Sequence, residues 1–398
     1  MESLPAPEGV RQRNLARILR LVHLEGPISR AALTDATTLN RSTIGDLVGE
    51  LVSAGLARES APDPQRRAGR PSPNVSADPD VVAIAVNPEV DALEIAAVGL
   101  DRSLRARARH ERDHLLTPQE TVDLVAEQLE TWRGGELAGA RIVGVGIAVP
   151  GPVRATDGRV RHAPHLRWSD VALRELVQDA TGLPVTVGND ATLGAHAEHL
   201  FGAARGADDV VYLNGGASGI GGGLVVSGVS IGGASGYAGE FGQNRPGISA
   251  ASDRRAGPAG VLEDEVSRAR LLAALQLHGA DDPTLAEALR QSSSVDVLEE
   301  VERQRRILAT ALANAVNVLN PAVVVLGGFL AMLVERDPAA FTDAVRAQAL
   351  PACGEDVEVR AAALAEDRLL IGAAEVAFAE VIADPAAFAA APALLSAR

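Results

Sequence analysis

Between residues 11 and 25 apolar side chains recur at helical spacing, with Leu15, Ile18, Leu19 and Val22 on one face. Gly26-Pro27 ends that helix. Ser29 has the chemistry of an N-cap for a second helix, RAALTDATT. Asn40 has it for a third, RSTIGDLVGELVSAG, where Ile44, Leu47, Val48 and Leu51 face inward. Gly55 suits the left-handed position just past that helix. Three short helices with a tight turn at Leu39 predict a helix-turn-helix. Beyond Leu56 a strand-like start enters a Pro-, Gly- and Arg-rich loop and returns through PNV. This is the pattern of a wing; on composition alone a linker is the alternative.

From Val81 the pattern changes. VVAIAV, LEIAAVG, IVGVGIAV, VVYLNGG, GGLVVSG and AVVVLGG are short, β-branched runs ending in Gly or Pro. Helical patterns lie at 118–133, 170–181, 190–203, 261–276 and 299–319. Alternating strands and helices predict an α/β body, and the close spacing of 81–86 and 93–98 predicts an antiparallel pair.

Composition narrows the function classes. A chain of 398 residues is too long for one core. All 37 basic residues are Arg, which excludes a P-loop lysine and a Schiff-base lysine. The single Cys353 excludes an intrachain disulfide and a Cys-rich zinc site. No signal peptide and no membrane span are expected, so a cytoplasmic protein is. The net charge of −15 is unevenly spread: residues 1–70 hold 10 Arg against 8 Asp or Glu, leaving −17 for the remainder. A mildly basic head on an acidic body fits a DNA-reading module joined to a part that does not touch DNA.

In a helix-turn-helix the start of the third helix meets the DNA. Here those residues are Asn40, Arg41, Ser42 and Thr43. Arg41 is the candidate for a base contact, Ser42 and Thr43 for phosphates, and Asn40 is also explained as a cap. Arg66, Arg67 and Arg70 crowd the wing, where a thin backbone lets Arg enter a minor groove; a solvated basic loop is the alternative.

In the body, Asn189, Asp190, Glu240 and Glu263 are short-reach acceptors and donors suited to sugar hydroxyls. Asp190 also suits a helix N-cap. Gly219, Gly221, Gly222 and Gly223 fit either a phosphate approach or a tight hairpin.

Six segments, in order, resemble the ROK family, named for repressors, open reading frames and kinases. They are IVGVGIAVPGPV (142–153), LPVTVGNDATLGAHAE (183–198), VVYLNGGASGIGGGLVVSG (210–228), GYAGEFGQ (236–243), GVLE (260–263) and LNPAVVVLGG (319–328). The likeness spans about Leu15 to Glu380 and is to the repressor branch. It implies an N-terminal winged helix-turn-helix at 1–76. A two-lobed, actin-like sugar-kinase fold would follow, at 77–190 and 191–398, its last helix returning to the first lobe. It places Gly151, Asn189, Asp190, Glu240, Gln243 and Glu263 at the sugar, with Asp190 in the position of the kinase base.

The chain departs from the family pattern in three places. The Asp-Leu-Gly-Gly-Thr turn that cradles ATP phosphate becomes Asn87-Pro88-Glu89-Val90-Asp91. Glycine is gone, Pro88 removes a donor, and two acids oppose a polyphosphate. The Cys-x-Cys-Gly-x-x-Gly-Cys zinc motif becomes 254–261, without a thiol, and its His becomes Gln243. Without that His and zinc, the sugar-facing loop loses a brace. The expectation is a transcriptional regulator, a repressor of carbohydrate genes, with a sugar effector, no zinc, no ATP and no kinase activity. It would bind a pseudo-palindromic double-stranded operator as a homodimer or dimer of dimers. An active kinase with an appended head, and a DNA-binding protein with no ligand, are the alternatives.

Overall fold

The computed structural model describes residues 7–61, 72–216, 219–257 and 260–390. Helices α1 (Pro7–Glu25), α2 (Arg30–Thr37) and α3 (Arg41–Ser53) pack with strands β1 (Ile28–Ser29), β2 (Ala57–Ser60) and β3 (Asn74–Ala77). Each helix starts and stops where its polar residues dictate. The Ser29 hydroxyl accepts from Ala32 N and the Asn40 carbonyl from Thr43 N. After α3, Gly55 takes φ 66°, and Leu56 N and Gly55 N donate back to Leu51 O and Val52 O. Those bonds satisfy carbonyls that a helix end leaves open. The interior is Leu15, Ile18, Leu19, Val22, Leu33, Ile44, Leu47, Val48 and Leu51, all buried. Each contributes roughly 1.5–3 kcal/mol of apolar burial.

Strands β2 and β3 pair antiparallel from Ala57↔Ala77 to Ser60↔Asn74, with β1 on the far side of β3. The segment after Leu56 is therefore a wing hairpin and not a linker. Its tip, with Arg66, Arg67 and Arg70, lies outside the described residues.

The chain divides into two compact units. The first takes the described residues of 1–148, 171–187 and 373–398, and the second those of 149–170 and 188–372. This differs from the boundaries expected at 76 and 190. The head belongs with the first unit, and residues 149–170 belong with the second.

In the first unit β4 (Val81–Pro88), β5 (Ala92–Gly99) and β6 (Leu104–Glu111) form a meander, and β7 (Arg141–Val149) runs parallel to β4. Every residue of β4 is buried, as an unbroken apolar run in mid-sheet should be. Helix α4 (Pro118–Arg133) starts in a Thr117–Glu120 capping box. Strands β8 (Val153–Arg154), β9 (Arg159–Ala163) and β10 (Trp168–Val171) make a small separate sheet. Next come α5 (Leu173–Thr181) and β11 (Val185–Asn189), which completes the order β11-β7-β4-β5-β6.

Helix α6 (Asp190–Phe201) opens the main part of the second unit. Its sheet begins with another meander: β12 (Val210–Gly216), β13 (Gly219–Val226) and β14 (Val229–Ser230). Strands β15 (Val323–Gly328) and β16 (Glu358–Ala361) follow, each parallel to the last, giving β14-β13-β12-β15-β16. Numbered within each unit, both sheets have the order 3-2-1-4-5. The segment expected as one helix at 261–276 is two, α7 (Leu262–Glu265) and α8 (Arg268–Ala274). Helices α9 (Asp282–Gln291), α10 (Val295–Leu319), α11 (Phe329–Val334), α12 (Pro338–Arg346) and α13 (Pro351–Gly354) cover the second sheet's core. The chain ends in α14 (Arg368–Ala383) and α15 (Pro385–Ala390).

Candidate DNA-reading and sugar-binding sites

At the head, Asn40, Arg41 and Ser42 are exposed and Thr43 is half-buried at the first turn of α3. Asn40 caps the helix and also takes the Ser42 hydroxyl at 2.7 Å. The cap role weighed for Asn40 is real, and it braces the turn from which Arg41 projects.

The candidate sugar residues all lie in the second unit. Asn189, not Asp190, is the N-cap of α6: its carbonyl accepts from Thr192 N, and its amide donates to Gly151 O at 3.0 Å and to Asp190 Oδ1 at 3.1 Å. The cap assigned to Asp190 as the alternative is thus taken by its neighbour. Gly151 is required where it stands. Its φ is 100°, and a Cβ there would lie 2.2 Å from His162 O.

Asp190 is the first residue of α6. Burial pushes its carboxyl up to about 6, opposed by the Ala191 amide and by the Arg368 charge and reinforced by Glu240. Burial also raises Glu240, with the charge of Glu263 adding to it. Glu263 accepts from Gln243 Nε2 at 2.6 Å and from Ile220 N at 3.1 Å, its carboxylate lying against the bare backbone of Gly219. Two hydrogen-bonded groups therefore form, Gly151–Asn189–Asp190 and Gln243–Glu263, and the field of Glu240 acts on both. Three carboxyls of one sign, with amide donors beside them, suit a neutral polyol that donates hydroxyl hydrogens.

The first-unit turn that replaces the phosphate cradle is the tight hairpin between β4 and β5. Glu89 takes a hydrogen bond from Asn87 Nδ2 and another from Arg109 Nη1, and Arg107 pairs with Glu94. Burial raises the Glu89 carboxyl, against the pull of Arg109. The hairpin pairs its own acids with the arginines of the edge strand.

The zinc of the resembled motif does not fit the residues present. Positions 254–257 and 260–261 are Arg, Arg, Ala, Gly, Gly and Val, and 243 is Gln. Among the described residues no cluster of His, Cys, Asp and Glu could hold a metal. A buried ion pair missed at the sequence level braces the loop. Glu265 accepts from Arg255 N, Ala256 N and Arg303 Nη1. All five N–H groups of Arg303 are used: Nε and Nη2 on Glu300, Nη1 on Glu265 and Asp253 O, and Nη2 on Glu265 O. Side-chain exposure is 2% for Arg303 and 1% for Glu265. The sequence offered no signal, because both lie in charged stretches that read as surface.

Residues 84–380 match the model of the ROK family, and the chain belongs to that family. It is 27% identical over 345 residues to the xylose repressor of Caldicellulosiruptor bescii, covering 80% of this chain and 83% of that one. It is 28% identical over 247 residues to the glucokinase of Halalkalibacterium halodurans, covering 58% and 74%. The crystal structure of a ROK family transcriptional regulator, a homologue of the E. coli MLC protein, superposes with a TM-score of 0.76. It does so over 96% of this chain and 99% of that one, at 23% identity. Among the described residues no helix is long and apolar enough to cross a membrane.

Proposed function

We propose that the chain is a sugar-responsive transcriptional repressor that acts in the cytoplasm, without kinase activity and without zinc. The observation that carries it is a helix-turn-helix with paired wing strands, joined to a ROK fold whose first-unit hairpin carries the acids Glu89 and Asp91. The xylose-repressor relative supports the regulatory reading. Arg41 reads base edges, Ser42 and Thr43 hold phosphates, and paired heads of a homodimer or dimer of dimers address a pseudo-palindromic site. A neutral sugar takes hydrogen bonds at Asn189, Asp190, Glu240, Gln243 and Glu263. A sugar phosphate is disfavoured by the three carboxyls. The effector acts by binding one state of the body more tightly than another.

The test is selection of duplex DNA by the full chain, followed by titration with D-xylose, D-glucose and their phosphates. A fall in DNA affinity with a neutral sugar supports the reading; unchanged affinity with all of them refutes sensing. The glucokinase relative and Asp190 favour one second reading, an active kinase with an appended head. Release of ADP from ATP over the same sugars would establish that reading instead.

A further inference from the structure

Helix α1 carries a histidine that neither DNA nor sugar recognition uses. His23 is 1% exposed and sits on the last turn of the helix. Its Nδ1 lies 2.6 Å from Leu100 O, and its Nε2 lies 3.0 and 3.1 Å from the two carboxylate oxygens of Glu375 on α14. Glu375 is 6% exposed. A carbonyl only accepts, so Nδ1 bears a hydrogen, and a second proton lies between Nε2 and the carboxylate. One turn along α14, the ring of Phe378 packs on the imidazole with centroids 5.8 Å apart.

The C-terminal segment supports the head at a second point. The Arg141 guanidinium stacks 3.5 Å over the Phe388 ring, bonds Phe388 O, and reaches Ala54 O at the end of α3. Burial lowers the Arg141 pKa.

A buried ion pair is weak evidence for stability, because well-packed apolar side chains would seat the head as firmly. Its directional bonds impose something apolar contact cannot, a single angle. Helix α14 also begins against the sugar-binding region, since a Cβ on Gly372 would lie 2.3 Å from Leu193 O of α6. That helix starts at Asp190.

We propose that His23 and Glu375 are the positioning joint of the DNA-binding head. They fix α1, and with it α3, at one angle on α14, the helix that also meets α6. The inference rests on the DNA-binding reading above, because a fixed angle matters when two heads must match the spacing of two half-sites.

The test uses the full chain, a duplex selected by the wild type from a random pool, and the same duplex with one half-site scrambled. His23→Leu and Glu375→Leu should each weaken binding to the intact duplex at least tenfold and change the scrambled one less than twofold. The double variant should be no weaker than either single one, since both remove the same joint. Glu375→Gln should stay within threefold of the wild type, because its amide donates to Nε2 of a neutral imidazole. Hydrogen exchange within α1 should remain protected in all variants, which separates loss of angle from melting of the head. Equal losses on both duplexes, additive losses, or exposed α1 amides would overturn the joint. If the wild type selects no duplex, the functional reading falls and takes the joint's purpose with it; selection with unaffected variants refutes the joint alone.

Discussion

Replacing Arg303 by Met removes the cation from a site where it is 2% exposed and where each of its five donors has an acceptor. The side chain left behind replaces the aliphatic stem but not the guanidinium, so the loss is chiefly of charge and hydrogen bonds, with a small void added. Glu265 keeps the amides of Arg255 and Ala256 but loses its counter-charge, and Glu300 keeps only Gln304. Breaking a buried pair from one side costs about 3–5 kcal/mol, equivalent to roughly two to four orders of magnitude in local opening. The direct assay is hydrogen exchange of the 250–257 segment, because the Arg255 and Ala256 amides end on the Glu265 carboxylate. Burial pushes the Glu300 carboxyl up, but the Arg303 and Gln304 donors hold it below its usual value overall. A lowered acid contributes stability above its ordinary pKa and loses it as pH falls through the lowered one. The penalty should therefore be full at pH 7 and shrink below about pH 4. Glu265→Gln should cost less, as its side-chain carbonyl still accepts from the two amides. If this pair stands in for a metal, dialysis against a chelator leaves the wild-type melting temperature unchanged. A loss under about 1 kcal/mol in Arg303→Met, or stabilisation by added zinc, would refute the reasoning.

Asp190→Asn should stabilise the protein at pH 7.5 by up to about 3 kcal/mol, from a shift of about two units at 1.36 kcal/mol each. A raised acid costs stability as pH climbs from about 4 to 6, so urea titrations should show the gain vanishing at acid pH; a pH-independent difference would contradict it. Arg41→Ala should weaken binding to the selected duplex by about 1–3 kcal/mol without moving the melting temperature. Gly151→Ala meets both φ 100° and His162 O at 2.2 Å, so a loss above about 2 kcal/mol in urea is expected, with weakened sugar binding through Asn189. Unchanged stability there would mean the loop relaxes freely.

The head was legible because its signals are local. Four apolar residues at helical spacing, two polar caps and one glycine each fix a boundary through their own backbone. Six of the body's strands, β4, β5, β7, β12, β13 and β15, were legible as apolar runs; the short or polar ones were not, among them β6, whose Leu-Arg-Ala-Arg sequence reads as polar. Half-exposed arginines along its length show why: it lies at the edge of the sheet, where one flank stays in water. The candidate sugar residues come from motifs, yet their hydrogen bonding could not be read from them. Which of Asn189 and Asp190 caps α6 depends on a carbonyl 38 residues away. Glu265 with Arg303, and His23 with Glu375, were invisible for the same reason. Glu265 and Arg303 sit in charged stretches that look solvated until distant segments close over them, whereas Glu375 is an acid inside an apolar run and its partner lies 352 residues away. The placing of residues 149–170 was equally hidden, since they are assigned by packing and not by sequence order.

The shared strand order of the two sheets carries one last implication. In each unit the first two strands of the meander pair antiparallel, and in the first unit residues 89–91 are the turn between them. The 89–91 turn is an outlet of the first meander, its Glu89 and Asp91 answering to Arg109 on the edge strand. Chemistry at one outlet can be rewritten by a few turn residues while both cores keep their sequence. A fold built this way can host catalysts and regulators without being rebuilt.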